Sequence, residues 1–488
     1  MKDSLREDAA RIVRRLQDAG FAAFWVGGCV RDFLLDREPG DYDIATSARP
    51  EQVETLFGHT IAVGRKFGVM IVVEAQRSFQ VATFRAEADY RDGRHPDRVT
   101  FGDAMADARR RDFTINGLFY DPVGRQLHDW VGGEADVRAR VIRTIGSPAD
   151  RFAEDHLRLL RAVRFAARLG FDIEPDTFAA LRAHAPSIQS ISAERIRDEL
   201  IKLLAPSPLQ TDNPGGAGPA ARRPVPADAR AWEVPSPGSL PGRSDKPSEG
   251  GAAGGTPAAR GLELLRESGL LAEILPEVAA TVHCEQSPDY HPEGSVFNHL
   301  RLMLARLPAD ADPSLPWAVL LHDIAKPVTA SRDARTGGIH FYEHEKIGAD
   351  MAEGILERLR FPRKQIDTIV KAVRCHMQFK DAPRMRTSTL RRLLLRPTFP
   401  LELELHRLDC LGSHGRLDVY DFLVAQSRAL ETQPEIRPPL LGGDDLIALG
   451  LKPGPALGRV LAELREKQLQ GDLKTPAEAR EWVKDRMK

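Results

Sequence analysis

The sequence carries almost no net charge: 69 Lys and Arg stand against 70 Asp and Glu, for a formal charge of −1 and a pI near 6.9. That balance excludes a globally basic surface, so any RNA contact must come from local patches. Cysteine is scarce as well. Cys29, Cys284, Cys375 and Cys410 lie far apart with no CxxC pair, so they read as reduced, buried or incidental thiols of a cytosolic protein. No apolar run approaches membrane-spanning length. The opening stretch MKDSLREDAARIVRRL alternates charge along an amphipathic helix and has no apolar signal core. Internal repeats are absent. The expectation is a soluble, cytoplasmic chain with no membrane partner. At 488 residues it exceeds a single ordinary core, so three or four units are expected.

The pattern changes along the chain. From Phe21 to about Arg143, short apolar runs (FAAFWVGG, IAVG, VMIVVEA, FQVATF) alternate with helix-like pieces such as RPEQVETLFG, which reads as an α/β unit. After Asp150 the spacing turns helical. DHLRLLRAVRFAARLGF keeps apolar residues on one face and closes at Gly170, a C-cap candidate. Eleven prolines and nine glycines crowd the 53 positions 206–258. Such a stretch buries too little apolar surface to offset its chain entropy and is read as a disordered insertion between two helices. The chain from about 285 to 430 is helical and rich in histidine, and from 436 onward it forms a small helical tail. The predicted boundaries are a head at 1–145, a helical neck at 146–283 interrupted at 206–258, a histidine-bearing domain at 284–430 and a tail at 431–488.

The most informative segment is WVGGCVRDFLLDREPGDYDIAT, residues 25–46. Gly27-Gly28 after an apolar strand and before a helix predicts a tight turn whose backbone N–H groups approach a phosphate chain. Asp41 and Asp43, two apart, present both carboxylates to one side of a strand. Paired hard oxygen ligands suit Mg²⁺, which also bridges nucleotide phosphates. A DxD pair alone is more often a strand-end turn with solvated aspartates.

The company of this pair decides otherwise. GG, VRD, GDYDI, GRKFG (64–68), VATFR (81–85), YRDGRHPDRVTF (90–101) and RRDFTINGL (110–118) together resemble the head of class II tRNA nucleotidyltransferases. This family comprises CCA-adding, CC-adding and A-adding enzymes and bacterial poly(A) polymerases. The resemblance covers nearly the whole chain outside 206–258. It implies an α+β fold: a polymerase-β-like head with a mixed sheet and helices, followed by all-α neck, HD and tail domains. It further implies that Asp41 and Asp43 are catalytic and hold Mg²⁺. Gly27, Gly28, Arg31 and Asp32 would form one part of the nucleotide-binding site, and Arg110, Arg111, Asp112 and Asn116 another. One position departs from the family: Gln80 stands where a third carboxylate is common, so no third ligand is expected from that strand.

Glu154, Asp155 and Arg158 form EDxxR on the first long helix, where spacings of three and four put them on one face. An isolated EDxxR is more often an intrahelical salt bridge. The resemblance implies instead that Asp155 and Arg158 present a hydrogen-bonding edge selecting A and C, with Glu154 supporting the arginine. Arg161, Arg164 and Arg168 share one stripe that could meet tRNA phosphates or form a solvated face; the first two are placed with the nucleotide-binding residues. Glu194-Arg195-Ile196 resembles the motif that braces this helix. The polar segment EADYRDGRHPDRVTF resembles the flexible loop required for A addition, which argues against a CC-only enzyme. The implied reaction is template-independent addition of CCA, or of A alone, to tRNA from CTP and ATP. A poly(A) polymerase is one alternative, and a phosphohydrolase with a non-catalytic nucleotide-binding head is another.

The histidine-bearing domain supplies FNHL, LLHDIAKP, FYEHEKIGA and VRCHMQF. His299, His322, Asp323, His344 and His376 in that order resemble an HD-type phosphohydrolase. A mononuclear site of His299, His322, Asp323 and Asp409, or a dinuclear one recruiting His344 and His376, would hold a divalent transition metal.

Overall fold

The computed structural model describes residues 5–86, 101–206, 256–287, 291–336, 338–432 and 438–487. Most of the Gly- and Asp-bearing segment at 87–101 and nearly all of the Pro- and Gly-rich stretch at 206–258 therefore lie outside the described residues. The chain divides into two compact units, one running to Glu273 and one from Ile274 to Lys488, with Leu204–Pro206 going with the second.

The first unit is built on a seven-stranded mixed sheet in the order β3-β4-β5-β2-β1-β6-β7. Its strands are β1 (Ala23–Val26), β2 (Asp43–Thr46), β3 (Thr60–Gly64), β4 (Val69–Glu74), β5 (Arg77–Thr83), β6 (Phe119–Asp121) and β7 (Gln126–His128). Only the β2–β5 pair is parallel; the others run antiparallel. Strand alternation explains the burial. Val26 and Ala45 pack with Phe84, Ala108 and Phe119, with Phe24 against them, while Trp25 turns to the other side and meets Tyr42 at 4.7 Å between ring centres. Helix α1 (Leu5–Asp18) buries Ala9, Ile12, Val13 and Leu16 at helical spacing.

Six further helices carry the candidate site: α2 (Gly28–Leu34), α3 (Pro50–Leu56), α4 (Ala104–Arg109), α5 (Gly133–Ala139), α6 (Pro148–Glu154) and α7 (Leu157–Leu169). The last of these buries Leu157, Leu159, Leu160, Val163, Phe165 and Leu169 and ends at Gly170, whose φ of +70° is the left-handed cap its sequence predicts. Phe165 is 1% exposed, and Phe165→Ala is expected to cost about 3–5 kcal/mol. The sequence places Glu154, Asp155 and Arg158 on one helix. The structure corrects this: α6 ends at Glu154, Asp155 is extended (φ −148°, ψ 103°), and α7 begins two residues later. The Asp155 carboxylate accepts from the Leu157 N–H (3.1 Å), a side-chain bond to a helix-start donor that competes with continuing the helix.

The second unit is mostly helical. Leu300, Leu320, Leu356, Val373, Leu405 and Leu408 are buried in it, and a ribbon of Ala330–Arg332 and Ile339–Phe341 is its strand pair. The tail has its own apolar cluster, Leu441, Leu446, Leu464, Leu473, Ala479 and Val483, drawn from helices Gly443–Ala448, Pro455–Gln470 and Pro476–Met487 and the segments that flank them. Among the described residues, no helix is long and apolar enough to cross a membrane.

Candidate functional site

In the head, Gly27 joins β1 to α2 with φ +74°. A Cβ there would sit in the disfavoured left-handed region and 3.0 Å from an Arg111 guanidinium nitrogen, so the turn requires glycine. Its own N–H donates to the Leu118 carbonyl (3.1 Å). Asp43 opens β2 opposite Val26, and Asp41 lies in the segment just before the strand. The sequence places both on a strand; only Asp43 belongs to it. Burial first, and the neighbouring Asp41 charge second, push the Asp43 carboxyl up to about 7 against the opposing pull of Arg111. A pair so disposed has the charge and hard oxygen donors that fit a divalent cation. The parallel register of Ile44 with Val81 brings Gln80 to the level of Asp43, where it offers an amide.

Behind this pair runs a chain of hydrogen bonds linking four stretches of sequence. Arg31, 2% exposed, donates to Asp32 (2.9 and 3.0 Å) and to the Asn116 side-chain Oδ1 (2.9 Å). The Asn116 amide donates to Asp112 (3.1 Å), and Arg161 donates to the other Asp112 oxygen (2.8 Å). Burial alone would raise the Asp112 carboxyl, but Arg161 and Asn116 hold it at about 2. Arg164 continues the run to Glu199 (2.6 Å). Arg110 and Arg111 both pair with the buried Asp107. Arg161 and Arg164 thus sit in buried ion pairs, so of the two readings of the stripe, a solvated face does not describe them.

The break after Glu154 sorts the EDxxR residues into two arrangements. Arg158 donates to Glu154 (2.5 Å) and to the Arg151 carbonyl (2.9 Å). Asp155 is held from another helix by Arg195 (3.0 Å), which gives the Glu194-Arg195-Ile196 motif its bracing contact. Glu199 and Asp107 are absent from the sequence reading, because an acid that meets its arginine across elements leaves no spacing signature.

In the second unit, the histidines converge. The donor atoms of His299, His322 and Asp323 lie within 4.8 Å of one another, as do those of Asp323, His344 and His376 and those of His291, Glu293 and His299. Asp323 faces His322 (3.2 Å) and His344 (3.4 Å), His344 faces His376 (3.2 Å), and Asp409 faces His299 (3.1 Å). Burial disfavours charge on His299, yet its contacts with Asp409 and Glu293 push it up to about 9; burial pushes His376 down to about 3. His344 and His376 each donate Nδ1–H to a backbone carbonyl (Phe341 at 2.8 Å, Val373 at 2.6 Å), which turns Nε2 toward the cluster. His322 Nδ1 likewise faces the Val319 carbonyl (2.9 Å), which turns its buried Nε2 into the cluster, 3.2 Å from Asp323 Oδ2. A buried imidazole nitrogen so exposed to the cluster fits a metal ligand. All six HD residues named from sequence meet here. Glu293, His291, Lys326 and Gln286 were missed.

Residues 23–143 match the family model of the poly A polymerase head domain. Further matches lie at 170–208, to a model described as "Probable RNA and SrmB- binding site of polymerase A", and at 294–411, to the HD domain. CCA-adding enzymes of Staphylococcus aureus are 45% identical over 205 residues, 42% of this chain and 51% of theirs, so the matched part spans about half the length of these curated relatives. A structure of the Bacillus stearothermophilus CCA-adding enzyme in complex with CTP covers 99% of this chain and 98% of that one at 25% identity, with a TM-score of 0.68. The Thermotoga maritima CCA-adding enzyme complexed with tRNA shares the fold, with a TM-score of 0.55, 18% identity, and coverage of 98% of this chain and 95% of that one.

Proposed function

We propose that the chain is a template-independent nucleotidyltransferase that adds CCA, or its terminal A, to tRNA 3′ ends from CTP and ATP in the cytoplasm. The observation that carries this reading is the Asp41/Asp43 pair at the start of β2, beside the glycine turn that β1 makes into α2. Bound Mg²⁺ would activate the attacking 3′-hydroxyl and favour departure of pyrophosphate. The protein's own task is positioning and selection. Arg110 and Arg111 offer guanidinium forks to the triphosphate. Arg31, Asp32, Asp112 and Asn116 form a rigid wall for the sugar, and the Gly27-Gly28 turn admits the phosphates closely. Asp155 and Arg158 present an acceptor and a donor fork to the base, braced by Arg195 and Glu154. Likeness to the CTP-bound Bacillus enzyme and to the S. aureus enzymes supports this reading.

The domain limits that go with it are a head at 1–145, a neck at 146–283, an HD domain at 284–430 and a tail at 431–488. For the HD domain we infer a divalent transition-metal site of His299, His322, Asp323 and Asp409, extended by His344 and His376, that hydrolyses phosphate esters on RNA or nucleotide ends. Incubation with tRNAs trimmed by one, two or three nucleotides, with each NTP singly and with Mg²⁺, tests the main proposal. Product length separates A from CCA addition, and a ladder on unstructured RNA with ATP alone would favour a poly(A) polymerase. No incorporation into any trimmed tRNA would sink it.

A further inference from the structure

Beside the HD cluster lies a second set of buried polar groups that the ligand assignment does not use. Lys326 is 6% exposed and Gln286 is 3% exposed. The Lys326 ammonium sits 2.7 Å from Asp323 Oδ2 and donates to Gln286 Oε1 (2.6 Å). That bond spends the Gln286 acceptor and leaves its Nε2 as a buried donor without a partner among the described residues. Glu293 Oε2 is likewise buried and unpartnered, while Glu293 Oε1 faces both His291 (2.9 Å) and His299 (2.8 Å).

Buried polar atoms are normally satisfied, and a buried ammonium is costly unless something anionic faces it. Asp323 is that anion here, but it is also the carboxylate shared by two of the three candidate metal groups. A divalent ion on Asp323 would draw on the same negative charge that stabilises Lys326. Asp323, Asp409 and Glu293 carry three negative charges and Lys326 one positive, so a two-ion centre is left with surplus positive charge beside a fixed ammonium and a free amide donor. A dianionic group removes that surplus and accepts both donors.

We propose that Lys326 and Gln286 form the phosphoryl subsite of the HD centre, binding the non-bridging oxygens of a terminal phosphomonoester. This rests on the metal-dependent phosphohydrolase reading above. In the reaction it serves, water adds to phosphorus, the P–O bond to the leaving alcohol breaks, and that alcohol takes up a proton, giving inorganic phosphate. Lys326 and Gln286 hold the oxygens that remain on phosphorus throughout.

The test uses the full chain loaded with Mn²⁺ or Co²⁺, inorganic phosphate as the binding probe and a 3′-phosphorylated oligoribonucleotide as substrate. Metal content is measured by elemental analysis and phosphate affinity by titration calorimetry. Wild-type protein is expected to bind phosphate only when loaded. Lys326→Met and Gln286→Leu are expected to weaken phosphate binding about 10-fold or more and raise KM while retaining bound metal, and Lys326→Arg is expected to restore part of both. If loaded wild-type protein binds phosphate and hydrolyses the oligonucleotide while both variants keep wild-type phosphate affinity and KM, the subsite assignment is wrong. Wild-type protein that binds no metal, or hydrolyses nothing when loaded, overturns the underlying phosphohydrolase reading instead.

Discussion

The head and the HD centre both gather carboxylates, but they treat the charge in opposite ways. In the head, two aspartates are set together so that one of them, Asp43, is pushed up to about 7 by burial and its neighbour. In the HD centre, His322, His344 and Lys326 surround Asp323 and hold its carboxyl well below the usual range despite burial. Asp409 is held down in the same way by His299. The head is thus electrostatically incomplete by itself, which suits a site whose ions arrive with each triphosphate. The HD centre is largely self-compensated, which suits ions that stay. On the proposed function, the first site would need its ligand to settle its charge, and the second would exchange internal pairs for metal bonds.

The sharpest way to break that contrast is to remove one centre and assay both. Asp41→Ala and Asp43→Ala are each expected to lower nucleotide incorporation by at least about 10³-fold, the several kcal/mol that a metal supplies at roughly 1.4 kcal/mol per tenfold. Hydrolysis by the HD domain should be unchanged in both. His322→Ala should do the reverse. Loss of incorporation in His322→Ala with intact folding would show that the two chemistries are not independent.

Next in size is the buried relay behind the head site. Asp112 compensates Arg161 while accepting from Asn116. Asp112→Ala takes from the largely buried Arg161 guanidinium its short ion pair and leaves Glu199, 4.0 Å away, and the charge of Asp155 to compensate it. A stability loss of about 3–5 kcal/mol is expected, read as an earlier first transition in denaturant. A loss below 1 kcal/mol would mean that the relay relaxes toward solvent.

The contrast also predicts a pH signature. Protons compete with the ion for Asp43 below about pH 7, so Mn²⁺ affinity of the head should fall about tenfold for each pH unit below 7 and level off above it. Without metal the sign reverses. The folded head keeps a proton that the unfolded chain releases, so its stability declines as pH rises from 3.8 toward 7. Asp41→Asn removes the like charge and should move both midpoints down. Calorimetric Mn²⁺ titration between pH 5.5 and 8 reads the first of these, and an affinity flat across that range would show that Asp43 is already ionised without metal.

Much of this was legible in the sequence where the chemistry is local. The apolar strand, the glycine pair and the Asp41/Asp43 spacing marked the head turn, because a positive φ and a two-residue repeat leave direct traces. Gly170 ended its helix as read, and the HD histidines met as their order implied. The illegible parts were contacts between distant elements. Nothing near Glu199 signals Arg164, nothing near Gln286 signals Lys326, and nothing in ERI says that Arg195 reaches Asp155. Helical spacing misled at EDxxR, because an aspartate bonding to the backbone two residues on can end one helix and start another.

That break supplies the smallest and most discriminating test. On one continuous helix, Asp155 would be fixed by its own turn, and Arg195 would be a surface contact worth little. In the folded chain Asp155 is extended, tied to Leu157 and Arg195, and separated from the Glu154–Arg158 pair. The Asp155–Arg195 pair is about a quarter exposed on each side, so breaking it should cost stability less than about 1 kcal/mol. Its effect on selection should be larger than that figure, because a base edge depends on the carboxylate's direction. Arg195→Leu is therefore expected to leave the denaturation midpoint within error and lower discrimination against GTP and UTP severalfold, with Arg195→Lys intermediate. Single-nucleotide incorporation with all four NTPs measures it. Unchanged discrimination alongside unchanged stability would mean that Asp155 is oriented by Leu157 alone, and that Arg195 has no part in reading the base.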